Sequence, residues 1–124
     1  MLHERGKCQS HSRTFKLYKM LRLIDANLNR ISEGLRLLED VARFLLNDAA
    51  LSEQLKSLRH DLAAEDPWLQ RKLLLARDSA ADVGAFAEVA TELQRHDLPS
   101  LITANAKRVE ESLRVMEECA KLPD

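Results

Sequence analysis

The residues able to do chemistry are arginines, carboxylates and asparagines, and they fall in three places. Asn27, Arg30, Glu33, Arg36 and Glu39 lie along one stretch. Asn105, Arg108, Glu111, Arg114 and Glu117 repeat that order 78 positions later. Between them, the run Arg77-Asp78-Ser79-Ala80-Ala81-Asp82-Val83-Gly84 holds an arginine, two aspartates and a glycine. Arginine forks bind phosphate through two parallel hydrogen bonds. Aspartates four apart can hold Mg2+, which in turn bridges phosphate oxygens. Phosphoryl transfer asks a protein mainly for positioning and charge neutralisation. Residue chemistry alone therefore describes a phosphate-handling protein, and a regulatory or scaffolding bundle fits the same set nearly as well.

The two stretches are an internal repeat. Aligning residues 23–43 with 101–121 gives 10 identities in 21 positions. A shared helical pattern would repeat only the apolar positions; here the polar ones repeat too. At about 100° per residue, Ile24, Leu28, Ile31, Leu35, Leu38, Ala42 and Leu45 fall on one face, so each copy is expected to be a helix. Asp25 and Thr103 are candidate N-caps. Asn27 and Glu39 sit on the margins of the apolar face and need hydrogen-bond partners. Spacing offers Arg36 to Asp40 and Glu39 to Arg43 as intrahelical pairs. The repetition suggests instead two matched helices lining a shared polar cleft. Gly34, inside the first helix, suits close approach of a neighbour or a ligand, and Ser112 is its small counterpart.

Around these motifs the chain reads as one helical domain, residues 14–124, behind a flexible polar leader, residues 1–13. Phe15, Leu17, Tyr18 and Leu21 lead into the first copy, whose helix should run to Leu46, with Asn47-Asp48 as the break and Asp48 as the next cap. Leu51, Leu55, Leu58 and Leu62 form an amphipathic stripe. Asp66-Pro67 starts another helix with Trp68, Leu69, Leu73 and Leu74 as core. A short helix is expected over 85–95, and the second copy follows Pro99. No stretch alternates with period two. The expected fold is an all-α antiparallel bundle of five to six helices, two of them the repeated motif helices.

Composition removes several function classes. Lys and Arg number 19 against 20 Asp and Glu, so bulk attraction to nucleic acid or anionic membrane is not expected. Aromatic residues are 4%, too few for a base-stacking platform. Cys8 and Cys119 are far apart and read as free thiols. No transmembrane run or signal peptide is visible, and the cytoplasm is the expected location. Phosphate-loop, dinucleotide and nucleophile-elbow motifs are absent. His60 beside Asp61 resembles a base with its carboxylate, but adjacent helical residues point about 100° apart, which favours a surface role.

Three groups of residues together carry a family resemblance. The first is Arg22-Leu23-Ile24-Asp25-Ala26-Asn27-Leu28-Asn29-Arg30 with Glu33-Gly34-Leu35-Arg36-Leu37-Leu38-Glu39-Asp40 and Ala42-Arg43-Phe44. The second is Leu58-Arg59-His60-Asp61-Leu62, Arg77-Asp78, Asp82-Val83-Gly84, Glu92 and Arg95. The third is Ala104-Asn105-Ala106-Lys107-Arg108 with Glu110-Glu111-Ser112-Leu113-Arg114-Val115-Met116-Glu117-Glu118. In this order, over roughly residues 20–121, the chain resembles the ThiD2-type domain, a helical hydroxymethylpyrimidine-phosphate kinase of thiamine biosynthesis often fused ahead of a thiamine-phosphate synthase. Ala85 stands where Thr is expected and Ser112 where Ala is usual; the first change weakens the side-chain contribution of that loop.

The resemblance implies ATP- and Mg2+-dependent phosphorylation of the pyrimidine phosphate to the diphosphate, beside a synthase that is fused or separate. From side-chain chemistry, and not from the family, Arg30, Arg36, Arg77, Arg108 and Arg114 are assigned to phosphates, with Arg77, Arg108, Asp78 and Asp82 in the catalytic set. Asp78 and Asp82 are the metal candidates, and Asn27 and Asn105 read the pyrimidine edge or orient the arginines. The alternative is a non-catalytic docking or regulatory domain of a thiamine-phosphate synthase, and a bare structural bundle is a third reading. A cleft shared by a homodimer is compatible with the sequence. The chain ends where a synthase barrel would begin in a fused protein.

Overall fold

A computed structural model describes residues 2–63, 67–78, 80–85 and 94–122, with residues 2–18 and 63 described by backbone alone. Four α-helices follow in order: α1, Leu2–Asp40; α2, Ala49–Ala63; α3, Pro67–Ala76; and α4, Leu98–Ala120. The expected five to six helices are thus corrected to four among the described residues. The short helix expected over 85–95 lies mostly outside the described residues. Ala85 lies in a turn and residues 94–96 are not helical, while 86–93 fall outside the described residues. No strand occurs among the described residues.

α1 runs unbroken through the first motif because nothing between the lead-in and Asp40 stops it: no proline occurs there, and Gly34 is an isolated small residue. Residues 2–13, expected as a leader, lie on its backbone path. Asp25 is therefore mid-helix and not a cap. α1 ends in a wide π-helical turn, Val41–Leu45, which buries Val41 and Ala42. The chain then reverses at Asn47, whose φ of 49° is a left-handed conformation that asparagine tolerates better than most residues. Asp48 caps α2 as expected, its Oδ1 accepting from Leu51 N at 2.9 Å. Thr103 is likewise interior, because α4 starts earlier. Asp97 is its N-cap, Oδ1 accepting from Ser100 N at 2.8 Å, and Pro99 occupies the first turn, where its missing N–H costs nothing.

α1 is the axis. α2, α3 and α4 each pack against it and make no backbone-level contact with one another among the described residues. The core is centred on Ile31 and Leu35 of α1 and Val109 of α4, with Leu55, Leu62 and Met116 packed around them. Ile31 and Val109 are equivalent positions of the repeat, so the two copies meet at their own matching residue. Gly34 permits this approach. A Cβ there would lie 2.6 Å from Val109 Cγ2 and 3.2 Å from the Asn105 carbonyl oxygen. Its neighbour is a helix and not a ligand.

The core is narrower than the pattern implied. Leu55 and Leu62 of the α2 stripe face it, whereas Leu51 and Leu58 are exposed. Of the four core residues expected on α3, only Leu73 is buried; Trp68 is 73% exposed and Leu74 61%. Among the described elements α3 meets α1 alone at backbone level, and it buries Leu73 and Ala76. Among the described residues no helix is long and apolar enough to cross a membrane.

Candidate functional site

A polar cleft of about 610 Å3 lies between the middle of α1 and the link that follows α3. α1 contributes Lys19, Arg22, Asp25, Asn29 and Arg30 to it, spaced so that they recur on one side of the helix. The link contributes Arg77, Asp78 and Asp82. No residue of α4 lines it.

Asp25 fastens the two walls together. Its carboxylate is 10% exposed and accepts from Arg77 Nε at 2.8 Å and from an Arg77 terminal nitrogen at 3.0 Å. The same terminal nitrogen reaches Asn29 Oδ1 at 3.5 Å. The hydrogen bond to Asp25, and then that carboxylate's charge, hold the Arg77 guanidinium above its already high ordinary pKa. Arg77 is therefore a fixed cation. A second tie runs from Arg22, which donates to the Asp78 carbonyl oxygen at 3.1 Å.

The link is shaped by its own aspartates. Asp78 Oδ1 accepts from Ala81 N at 3.0 Å, and Asp82 Oδ1 accepts from Gly84 N at 2.9 Å. Such side-chain-to-backbone bonds fold short turns. Among the described residues no group of three or more His, Cys, Asp or Glu side chains is placed to hold a metal ion by itself. Two carboxylates on one cleft wall do match what Mg2+ needs when phosphate oxygens and water fill its other positions.

The cleft gathers five of the residues expected at a site: Asn27, Arg30, Arg77, Asp78 and Asp82. Four others lie elsewhere. Arg36 is exposed on α1. Arg108 pairs with Glu33 at 3.3 Å and joins the two repeat helices. Arg114 pairs with Glu117 at 3.0 Å and Glu118 at 2.9 Å, within its own helix. Asn105 donates to the Leu101 carbonyl oxygen at 2.9 Å. Asn27 does the same one repeat earlier, to Leu23 at 2.8 Å, and its Oδ1 accepts from Arg30 at 3.4 Å. At 2% exposure, Asn27 has both ends of its amide engaged. Glu39 pairs with Arg59 of α2 at 3.0 Å and not with Arg43. His60 and Asp61 are exposed and do not line the cleft.

Four residues of the cleft were not singled out as site residues from the sequence: Lys19, Arg22, Asp25 and Asn29. A signal for two of them existed. Their counterparts 78 positions on are Asp97, Ser100, Thr103 and Lys107. Asp25 and Asn29 are places where the aligned copies differ, and Lys19 and Arg22 precede the alignment. Positions that repeat, such as Ile31 with Val109 and Asn27 with Asn105, serve packing and backbone bonding in both copies. The cleft thus combines repeated positions, Asn27 and Arg30, with Asp25 and Asn29, where the copies differ.

A family model described as "ThiD2 family" matches residues 22–124. A thiamine-phosphate synthase of Rhodopirellula baltica is 48% identical over 106 residues, covering 85% of this chain and 28% of the relative. The thiamine-phosphate synthase of Synechocystis sp. is 50% identical over 103 residues, covering 83% and 29% respectively. That of Nostoc sp. is 45% identical over 101 residues, covering 82% and 28%. The chain thus spans under a third of the length of these curated relatives, in which it corresponds to one fused domain. No solved structure matches it.

Proposed function

The chain belongs to the ThiD2 family, and from that premise we propose that it is a kinase of thiamine biosynthesis, converting hydroxymethylpyrimidine phosphate to the diphosphate with Mg-ATP. The observation that carries the proposal is the cleft itself. Lys19, Arg22, Arg30 and Arg77 share one space with the carboxylates Asp78 and Asp82.

In the proposed reaction an oxygen of the pyrimidine's phosphate attacks the γ-phosphorus of ATP. A new P–O bond forms, the bond to the β,γ-bridging oxygen breaks, and ADP leaves with that electron pair. Arg22 and Arg30 neutralise the attacking phosphate, which otherwise repels an incoming anion. Arg77, fixed by Asp25, supplies a cation that needs no reorganisation when charge develops. The Asp78 and Asp82 oxygens not bonded to the turn are free to face Mg2+, which on binding would draw charge from the transferring phosphoryl group.

A second reading has its own support. The relatives are named for the synthase reaction and are more than three times longer than their matched segment, which favours a docking or regulatory role within a thiamine-phosphate synthase. A coupled assay of ADP release by the isolated chain separates the two. The kinase reading expects turnover that depends on the pyrimidine phosphate; the docking reading expects none, with or without the synthase.

A further inference from the structure

Next to the Asp25–Arg77 pair lies a second cavity, of about 320 Å3. Asp25, Asn29 and Arg77 line both it and the polar cleft. Its character is different. Leu28 and Leu35 of α1, Leu62 of α2 and Leu73 of α3 form its walls, and the polar side chains of Ser32 and Gln70 join them. Arg59 also lines it, but its charge is taken up by Glu39 at 3.0 Å. The volume lies at the lower end of the range of roughly 300–1,000 Å3 typical of small-molecule sites. Mainly apolar walls with a few polar groups are what such sites use to hold and orient a ring.

An apolar cavity and a cationic cleft that adjoin at Asp25, Asn29 and Arg77 suit one amphiphilic ligand better than two separate ones. We propose that the cavity holds the flat, uncharged heteroaromatic ring of a phosphate ester whose phosphate lies in the neighbouring cleft. Ser32 meets the hydrogen-bonding edge of the ring, and the leucines cover its faces. The Asp25–Arg77 pair sits at the junction, where ring and phosphate are joined. This deepens the reading proposed above and rests on it for the identity of the ester. It also relieves Asn27 of reading the ring, since both ends of that amide are already bonded.

The test is a titration of the full chain with hydroxymethylpyrimidine phosphate, followed by methyl NMR, with inorganic phosphate as the ringless probe. Ring-current shifts are expected at the methyls of Leu28, Leu62 and Leu73 with the pyrimidine phosphate and not with inorganic phosphate. In calorimetry, Ser32→Leu, which fills the cavity, is expected to weaken pyrimidine phosphate binding at least tenfold. Ser32→Ala, which leaves the space open, should cost no more than about fivefold, and Mg-ATP binding should be unchanged in both. Binding with shifts confined to the polar cleft, or undiminished in a folded Ser32→Leu protein, overturns the cavity assignment alone. No binding of the pyrimidine phosphate by the wild-type chain overturns the kinase reading together with it. The NMR arm uses the unaltered protein and stands even if a variant fails to fold.

Discussion

Arg77 grips Asp25 through two nitrogens, at 2.8 and 3.0 Å, across 52 positions of sequence. The carboxylate is nearly buried, while the guanidinium is 50% exposed. This pair sets the link after α3 against α1, and both cavities are built on it. Removing the arginine leaves a buried carboxylate without its partner. Exposed pairs contribute about 0.2–1 kcal/mol, and breaking a fully buried one costs about 3–5 kcal/mol. Arg77→Ala should therefore destabilise the chain by about 1–3 kcal/mol in urea denaturation. Arg77→Lys should recover little, because an ammonium cannot reproduce the two-pronged contact.

Gly34→Ala tests the approach of α1 to α4. Helix propensity alone predicts a gain of about 1 kcal/mol. The new methyl, however, would meet Val109 Cγ2 at 2.6 Å and the Asn105 carbonyl oxygen at 3.2 Å. Valine is stiff about χ1 and a helix carbonyl cannot swing away, so overpacking of about 1–3 kcal/mol decides the sign. The expected outcome is a lower thermal midpoint, and a raised one would show that the helices can part cheaply.

Much of this was legible in sequence, for identifiable reasons. The repeat fixed the two motif helices, and Gly34 announced a close approach. Asn47-Asp48 marked the end of α1 and the start of α2. What failed depended on tertiary context. Asp25 looks like a cap when the motif is read alone, but the lead-in helix runs straight through it, and its partner lies 52 residues away. Trp68 and Leu74 look like core residues, yet both are largely exposed, and among the described elements α3 meets only α1. The repeat also implied a symmetry that the cleft lacks. Identical Asn and Arg residues suggested a symmetric cleft, whereas Arg108 and Arg114 are engaged by glutamates and the cleft joins Asn27 and Arg30 of the first copy to residues that α4 does not repeat.

Asp97 gives α4 a pH-sensitive start. The hydrogen bonds from Ser100 hold its carboxyl below the usual range. A depressed folded value means stability is gained above the unfolded value, about 3.9 for Asp, and lost as pH falls through the lower folded one. Asp97→Ala should therefore be less stable than wild type at neutral pH. The difference should shrink as pH drops below about 4. Thermal melts at matched ionic strength across the acid range will show whether the two curves converge.

Asp78 and Asp82 carry two duties, folding the link and offering charge. Asparagine keeps the acceptor for Ala81 N or Gly84 N and removes the charge. Asp82→Asn should leave the helical circular dichroism unchanged and raise the Mg2+ concentration for half-maximal turnover by tenfold or more. An unchanged Mg2+ requirement would remove this residue from the metal site.

The most direct measurement is phosphorus NMR of the isolated wild-type chain incubated with hydroxymethylpyrimidine phosphate, ATP and Mg2+. The kinase account predicts that the monophosphate resonance decays while a diphosphate signal and ADP grow together, one for one. It also predicts that the reaction stops without Mg2+ and slows at least tenfold in Arg22→Ala. A folded wild-type chain that binds the pyrimidine phosphate but leaves the monophosphate signal intact, alone and with a thiamine-phosphate synthase added, would contradict it.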